Sequence, residues 1–297
     1  MRLLVITQKV DAADDVLGFF HGWLRELAGC VEKITVVTLG KGKVSLPSNV
    51  TVFSLGKDEN VSRATYIFRF FRLIVQKRKE YDTVFVHMNP EYLVLGGWLF
   101  RLWGKRIGLW YNHREVHWKL RVGVFFAHHV FTASREGFRL ATKKLSLLRH
   151  GIDVSLFAPV AESTPLGPTT ILHIGRITPI KNCDVLVRAA HRLTRIWGTD
   201  FRVIFVGEPG PSDAQYAKTI HALVVELGLQ DQVLFRGKVA NVNLPEELRQ
   251  CHMTVNLAPR GGMDKAVLES FAAGRPAFVS NTAFEELFGE WASRLIF

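Results

Sequence analysis

The feature that most constrains this chain is an alternation that runs its whole length. Short runs rich in β-branched and aromatic residues take turns with longer segments of helical period, the pattern of parallel sheets with crossover helices. In the first half the strand-like runs are Arg2–Thr7, Lys33–Thr38, Asn49–Ser54, Thr83–His87, Arg106–Tyr111, His129–Thr132 and a last piece near Leu147–Arg149. In the second half they are Thr170–Ile174, Arg202–Val206, Gln232–Arg236, Met253–Leu257, Ala277–Ser280 and a final Arg294–Phe297. Helices are expected in the gaps, notably over Arg63–Lys79, Asp184–Trp197, Ala214–Leu227 and Asp264–Ala273. Between the series lies Pro159-Val-Ala-Glu-Ser-Thr-Pro-Leu-Gly-Pro168, three prolines in ten residues with no apolar period, which reads as a linker. A chain of 297 residues suits two domains of about 150 each. The expected division is 1–158, a linker over 159–168, and 169–297. Two α/β domains on a stiff linker are expected to face a cleft, a preferred place for ligands.

Several classes are excluded early. No apolar run reaches the roughly 18 residues needed to cross a bilayer, and the best stretch, Tyr92–Trp103, is interrupted by Arg101. The start, Met1-Arg2-Leu3-Leu4-Val5-Ile6, runs into a strand without the shape of a signal peptide, so a cytoplasmic protein is expected. Cys30, Cys183 and Cys251 are far apart and in no metal-ligand spacing, and read as reduced thiols.

Charge divides the chain more sharply than composition does. Residues 1–150 carry 24 Lys and Arg against 12 Asp and Glu, a net +12, whereas residues 151–297 carry 14 against 15, a net −1. Such a field attracts anions: phospholipid, lipid phosphates, acidic glycans or nucleic acid. Within the basic half, Arg69, Arg72, Gln76 and Lys79 share one face of a helix over Thr65–Lys79, and Ile67, Phe68, Phe70, Phe71, Leu73, Ile74 and Val75 fill the rest. The broad face is expected to pack into the core; a membrane-surface helix is the alternative.

Two segments of the second half carry the chemistry. The first, Thr170-Ile-Leu-His-Ile-Gly-Arg-Ile-Thr-Pro-Ile-Lys-Asn-Cys-Asp184, delivers Gly175 and Arg176 at the carboxyl end of a strand and Lys181 just before the next helix. Two cations at that edge of a parallel sheet suit a diphosphate, one planar and forked, the other a mobile point charge. The alternative is a turn with two solvated bases. The second segment runs from Asn256 to Ser280, where strand, glycine loop and helix follow closely. Gly261 and Gly262 let the backbone approach a ligand, and the N–H groups of the following helix face it. Asp264 fits the helix N-cap by residue preference. Glu269 is expected to project away from a Val267/Leu268/Phe271 core face, either toward donor hydroxyls of a ribose or as the exposed i, i+4 partner of Lys265.

Gly175-Arg176 with Lys181, the strand end at Val206-Gly207, Gly237-Lys238-Val239, and Leu268-Glu269-Ser270-Phe271-Ala272-Ala273-Gly274-Arg275-Pro276 together resemble the donor domain of glycosyltransferase family four. The resemblance spans residues 170–280 closely and the rest loosely. It implies the α/β GT-B fold, two Rossmann-like domains, acceptor domain first and donor domain second. It implies further that Arg176 and Lys181 hold the donor diphosphate, that Glu269 binds the ribose, and that the Gly237–Val239 backbone, hence Lys238 and Val239, lies near the base. In the family a first glutamate stands eight residues before the second; here Gly261 occupies that position, so Asp264, or the Gly262, Met263 and Asp264 amides, would take over its work. Gly18 resembles the glycine that faces the donor phosphates, and His113, after the strand ending near Tyr111, stands where a cleft histidine meets sugar or acceptor. His150-Gly151-Ile152-Asp153 resembles the signature closing the first domain and reads as structural. The family continues past the point where this chain stops, so the chain reads as truncated at its C-terminus.

The reaction implied is retaining transfer of a sugar from a nucleoside-diphosphate sugar to a glycan or lipid-linked acceptor, in cell-envelope glycan or glycolipid synthesis. It needs no metal and no cofactor beyond the donor, with Arg176, Lys181 and helix amides stabilising the departing diphosphate. An anionic membrane surface is a further expected partner and nucleic acid is not. No facing carboxylate pair suggests a glycosidase. The Gln8-Lys-Val-Asp11 that follows the first strand is no dinucleotide fingerprint. A sugar-nucleotide epimerase of the same shape and a non-catalytic nucleotide-binding relative are the alternatives.

Overall fold

The structure is a computed structural model and describes residues 1–14, 16–159, 167–259 and 263–297. The chain forms two compact units, Met1–Arg149 and His150–Phe297. Most of the linker expected over 159–168 lies outside the described residues.

In the first unit the described residues give seven parallel strands: β1 (Arg2–Val10), β2 (Lys33–Lys41), β3 (Val50–Ser54), β4 (Thr83–His87), β5 (Arg106–Trp110), β6 (His129–Thr132) and β7 (Leu145–Leu147). Their order is β3-β2-β1-β4-β5-β6-β7, the doubly wound arrangement with its switch point between β1 and β4. Because successive strand residues point to opposite faces, β1 feeds two cores. Leu3 and Val5 pack with Phe20 and Leu24 of α1 (Gly18–Cys30). Leu4 and Ile6 pack on the other side with α2 (Arg63–Gln76), α3 (Glu91–Leu102) and α4 (Trp118–Phe126) through Phe70, Leu93 and Leu120. Ser62 starts α2 by accepting the Thr65 N–H at 3.2 Å, an N-cap that satisfies an otherwise orphaned donor.

The second unit repeats the plan with β8 (Thr169–Ile174), β9 (Phe201–Val206), β10 (Val233–Gly237), β11 (Met253–Asn256) and β12 (Ala277–Val279), parallel and in the order β10-β9-β8-β11-β12. Ile171, Val203 and Phe205 face α5 (Cys183–Trp197) and α6 (Ala214–Glu226). Leu172, Ile204 and Val206 face α7 (Leu244–Arg249) and the fully buried Phe157. Cys183 and Cys251 are buried free thiols, and Cys30 is free and exposed. α8 (Lys265–Ala272) connects β11 to β12.

One expected strand is corrected. Arg294–Phe297 does not form one: Ala292–Leu295 is a helical turn, and only Ile296 makes an isolated parallel bridge, to Val279. Leu295 goes into the core against Phe284 and Phe288, which bends the backbone away from the sheet after a single bridge.

Candidate functional site

The switch point of the second sheet lies between β8 and β11, and the loops leaving their carboxyl ends carry the candidate residues. Gly175 (φ 150°) donates its N–H to the Val206 carbonyl at 2.9 Å. Gly207, beside it at φ 130°, has no room for a side chain, because a Cβ there would collide with the Gly175 carbonyl oxygen. The ends of β8 and β9 are thus pressed together backbone to backbone.

From Gly175 the chain runs through a tight turn over Pro179–Lys181 and a left-handed Asn182 (φ 48°), whose Nδ2 donates to the Leu257 carbonyl at 2.9 Å. That bond ties the loop after β8 to the loop after β11. It brings Lys181 to Asp264, 83 residues later, and the ammonium forms a short ion pair with the Asp264 carboxylate. Asn256 Nδ2 donates to the same oxygen at 2.8 Å. Asp264 therefore occupies the N-cap position of α8 without capping it, since its side chain makes no bond to the helix amides. Burial favours its neutral acid, but Lys181 and Asn256 outweigh burial and hold the carboxyl below the ordinary range.

His173, the penultimate residue of β8, is not among the residues expected at the site. It is 1% exposed, and its Nδ1 lies 3.3 Å from the Val255 carbonyl. A carbonyl only accepts, so Nδ1 carries the proton and Nε2 is bare. Nε2 has no hydrogen-bond partner among the described residues and faces the Gly175–Lys181 side. Burial, with Lys181 second, pushes its pKa down to about 4, so the ring is neutral at physiological pH. A polar residue inside the apolar run Ile171-Leu-His-Ile174 was the available signal.

Glu269 is corrected in place and surroundings. It is buried at 5% exposure, and Asn241 Nδ2 donates to its Oε1 at 3.0 Å. Glu269 and Lys265 act on each other's charge, but not as an exposed pair, because Glu269 lies on the inner face of α8 with Val267 and Ser270, while Phe271 is exposed. The cause is contact on two sides: Ser270 Oγ meets Thr254 Oγ1 at 3.0 Å, and Glu269 meets the turn before α7. Burial raises the Glu269 pKa. Burial also pushes the Lys265 amine down to about 6 against the pull of Glu269, and pushes His150 down to about 4 with the Lys265 charge second.

The other expected residues separate. Arg176 is exposed and has no hydrogen-bond or ion-pair partner among the described residues. Lys238 lies 3.8 Å from Glu208 and is largely exposed, Val239 packs on the core, and Met263 packs toward Phe284 and Phe288. Gly261 and Gly262 lie outside the described residues. In the first unit, Gly18 opens α1 with its N–H bonded to the Asp14 carbonyl at 3.1 Å. His113 is exposed on the loop after β5, its Nδ1 accepting the Glu115 N–H at 3.2 Å. Among the described residues no three His, Cys, Asp or Glu side chains gather as metal ligands.

A loop cation, a strand-end asparagine and a helix-start carboxylate thus converge at one switch point. The family model "glycosyl transferases group 1" matches residues 158–297. The match runs along almost the whole second unit, which is similar in sequence to glycosyl transferases of group 1. A D-inositol 3-phosphate glycosyltransferase of Stackebrandtia nassauensis is 32% identical over 149 residues, which are 47% of this chain and 34% of that one. Its counterpart from Acidothermus cellulolyticus is 26% identical over 143 residues, 45% of this chain and 32% of that one. The chain thus spans about a third of the length of these curated relatives. Among solved structures, Anabaena HepE in complex with UDP matches 94% of this chain and 80% of its own with a TM-score of 0.71 at 18% identity. Sucrose-phosphate synthase of Thermosynechococcus elongatus matches 94% and 81% with a TM-score of 0.72 at 15% identity. The two units have the GT-B fold, two Rossmann-like parallel sheets.

Proposed function

We propose that the chain transfers a sugar from a nucleoside-diphosphate sugar to a glycan or lipid-linked acceptor, with retention of anomeric configuration and without a metal. The observation that carries this reading is the Lys181–Asp264–Asn256 cluster at the switch point of a glycosyltransferase domain, with Arg176 unengaged on the same loop. HepE, a solved structure of the same fold, binds UDP and UDP-glucose, which supports a diphosphate donor.

The chemistry follows from charge. Breaking the bond between sugar and diphosphate leaves negative charge on the leaving phosphate, and a group that binds this charge more strongly as it grows lowers the barrier. Lys181 supplies a point charge, Arg176 a fork, and the first turn of α8 its free N–H groups. As phosphate draws Lys181 away, Asp264 is released to accept hydroxyl protons of the donor sugar. Glu269, already receiving one bond from Asn241, offers its second oxygen to the ribose. Gly18 and His113 of the first unit are proposed to meet phosphate and acceptor, and Lys238 and Val239 to flank the base. The acceptor belongs to envelope glycan or glycolipid synthesis, and the protein works in the cytoplasm at the membrane surface.

Lys181→Ala is expected to weaken UDP binding by about 1–3 kcal/mol, the worth of a charge-assisted bond. Titration calorimetry of Lys181→Ala and Arg176→Ala with UDP, GDP and ADP measures it. Unchanged affinity for every diphosphate in both variants would remove the clamp.

A further inference from the structure

We propose that His173 is a positioning residue for Lys181: its bare Nε2 accepts one N–H of the lysine ammonium when a phosphate draws that ammonium off Asp264. The proposal rests on the diphosphate reading of the site, and adds to it a buried residue on the strand that leads into the Lys181 loop.

A histidine here goes against the pattern that builds the sheet. Side chains alternate along β8, so His173 stands on the same face as Ile171, in the layer where Ile171, Val203 and Phe205 meet α5 and α6. Its ring packs against the Phe205 ring with centroids 5.3 Å apart. A buried polar atom without a partner costs stability that an apolar residue in the same place would not. One edge of the ring is provided for, since Nδ1 donates to the Val255 carbonyl of β11 at 3.3 Å. The other edge is not: Nε2 has no partner among the described residues. The Val255 bond and the Phe205 contact hold the ring, so the direction of Nε2 is set before any ligand arrives.

Nε2 borders the open side of Gly175. A Cβ at Gly175 would lie 3.7 Å from Nε2 and 3.9 Å from the Lys181 ammonium nitrogen, so imidazole and ammonium flank one small space that the missing side chain leaves free. The ammonium has three N–H donors, and Asp264 is its only acceptor among the described residues. An acceptor without a donor thus faces a donor with N–H groups to spare, and rotation about the last bonds of the lysine side chain joins them. Charge explains why the second acceptor is not another carboxylate. Asp264 holds the ammonium but also cancels its field, whereas a neutral imidazole orients it and leaves the positive charge for the phosphate. The ring stays neutral because burial, with the Lys181 charge second, pushes its pKa down to about 4.

The test is a double-mutant cycle on UDP binding, read by calorimetry. His173→Phe keeps a ring against Phe205 and removes the acceptor. It is expected to weaken UDP binding about fivefold. Its melting is expected to stay as sharp and to fall by no more than about 3 °C. His173→Gln, whose amide oxygen accepts, is expected to recover part of the affinity. In a Lys181→Ala background, His173→Phe is expected to change UDP affinity less than about twofold. A fivefold loss that persists in that background would overturn the positioning role, as would unchanged affinity in His173→Phe alone. A second measurement needs no nucleotide. In the ligand-free protein Asp264→Ala frees the ammonium, and the Nε2 resonance of His173 in a nitrogen NMR spectrum is expected to move to that of a hydrogen-bonded acceptor. It is expected to return to that of a bare nitrogen when Lys181→Met is added. An unmoved resonance in Asp264→Ala would overturn the pairing even where Lys181 proves to hold UDP. A moved resonance with a UDP affinity indifferent to Lys181→Ala would support the pairing and overturn the diphosphate reading instead.

Discussion

Lys181 is neutralised by Asp264, whose carboxylate Asn256 also holds, so a diphosphate that seeks this cation competes with a carboxylate for it. The competition makes a prediction opposite in sign to that of deleting the lysine. Asp264→Asn keeps the shape and removes the competing charge, so UDP is expected to bind about fivefold tighter, roughly 1 kcal/mol, while sugar transfer slows because the carboxylate no longer meets the sugar. Calorimetry and turnover measured together check both halves, and weaker UDP binding in the variant would show Asp264 to be a ligand-side partner rather than a competitor. The acid side of the stability profile follows from the same pair. A carboxyl held below its unfolded value adds stability above about pH 3.9, and the contribution fades as pH falls through the folded value. The wild type is therefore expected to lose Tm faster than Asp264→Asn between about pH 4 and 2. His173 bears on the same residues, since its bare Nε2 faces the Lys181 side and is placed to accept a hydrogen bond from a donor there.

At the scale of elements, α8 holds its first residue, Lys265, in a costly place. Its amine titrates at about 6 in the fold against about 10.4 unfolded, so the folded state carries fewer protons across that interval and stability rises with pH through it. Lys265→Met is expected to raise Tm near pH 6, by roughly 2–4 °C for each kcal/mol recovered, and to give no gain near pH 10. Glu269 and His150 are the charged or titratable neighbours in this balance, so the profile is read in thermal melts at fixed ionic strength. A gain independent of pH would point to packing instead. The same helix marks where sequence stops being informative. Strands β1 to β6 and β8 to β12 were legible because each is an apolar run long enough to show its period, and α5 and α6 began and ended near where their patterns did. The inward face of α8 was not, because eight residues buried from two sides show no clean amphipathic stripe. The Lys181–Asp264 pair was equally hidden, since it depends on β8 and β11 being neighbours across 83 residues of sequence. The resemblance pointed to Lys181 and Asp264 on two different loops without telling that they would meet.

Over the whole molecule, the two units keep separate interiors. The cores around Phe205, Leu172 and Phe284 are built only from residues between His150 and Phe297. Ile152, Leu156 and Phe157 close the lower side of that interior, so the piece that begins at His150 carries its own cover. The charged candidate donor groups Arg176, Lys181, Asp264 and Glu269 all lie within it, as does nearly all of the match to the glycosyl transferases group 1 model, and only the uncharged Gly18 proposed for the phosphate does not. Residues 150–297 produced alone are therefore expected to fold cooperatively and to bind UDP within about threefold of the full chain, a difference near the 0.6 kcal/mol scale of thermal energy. Binding to anionic vesicles is expected to stay with residues 1–149, which hold the whole positive excess. Sugar transfer is expected from neither piece, because donor and acceptor groups are divided between them. Calorimetry on the fragment decides the matter: a loss of UDP affinity beyond about tenfold, in a fragment that melts as sharply as the full chain, would mean that the first unit contributes directly to holding the diphosphate. Gly18, at the start of α1, would then be the first residue to replace.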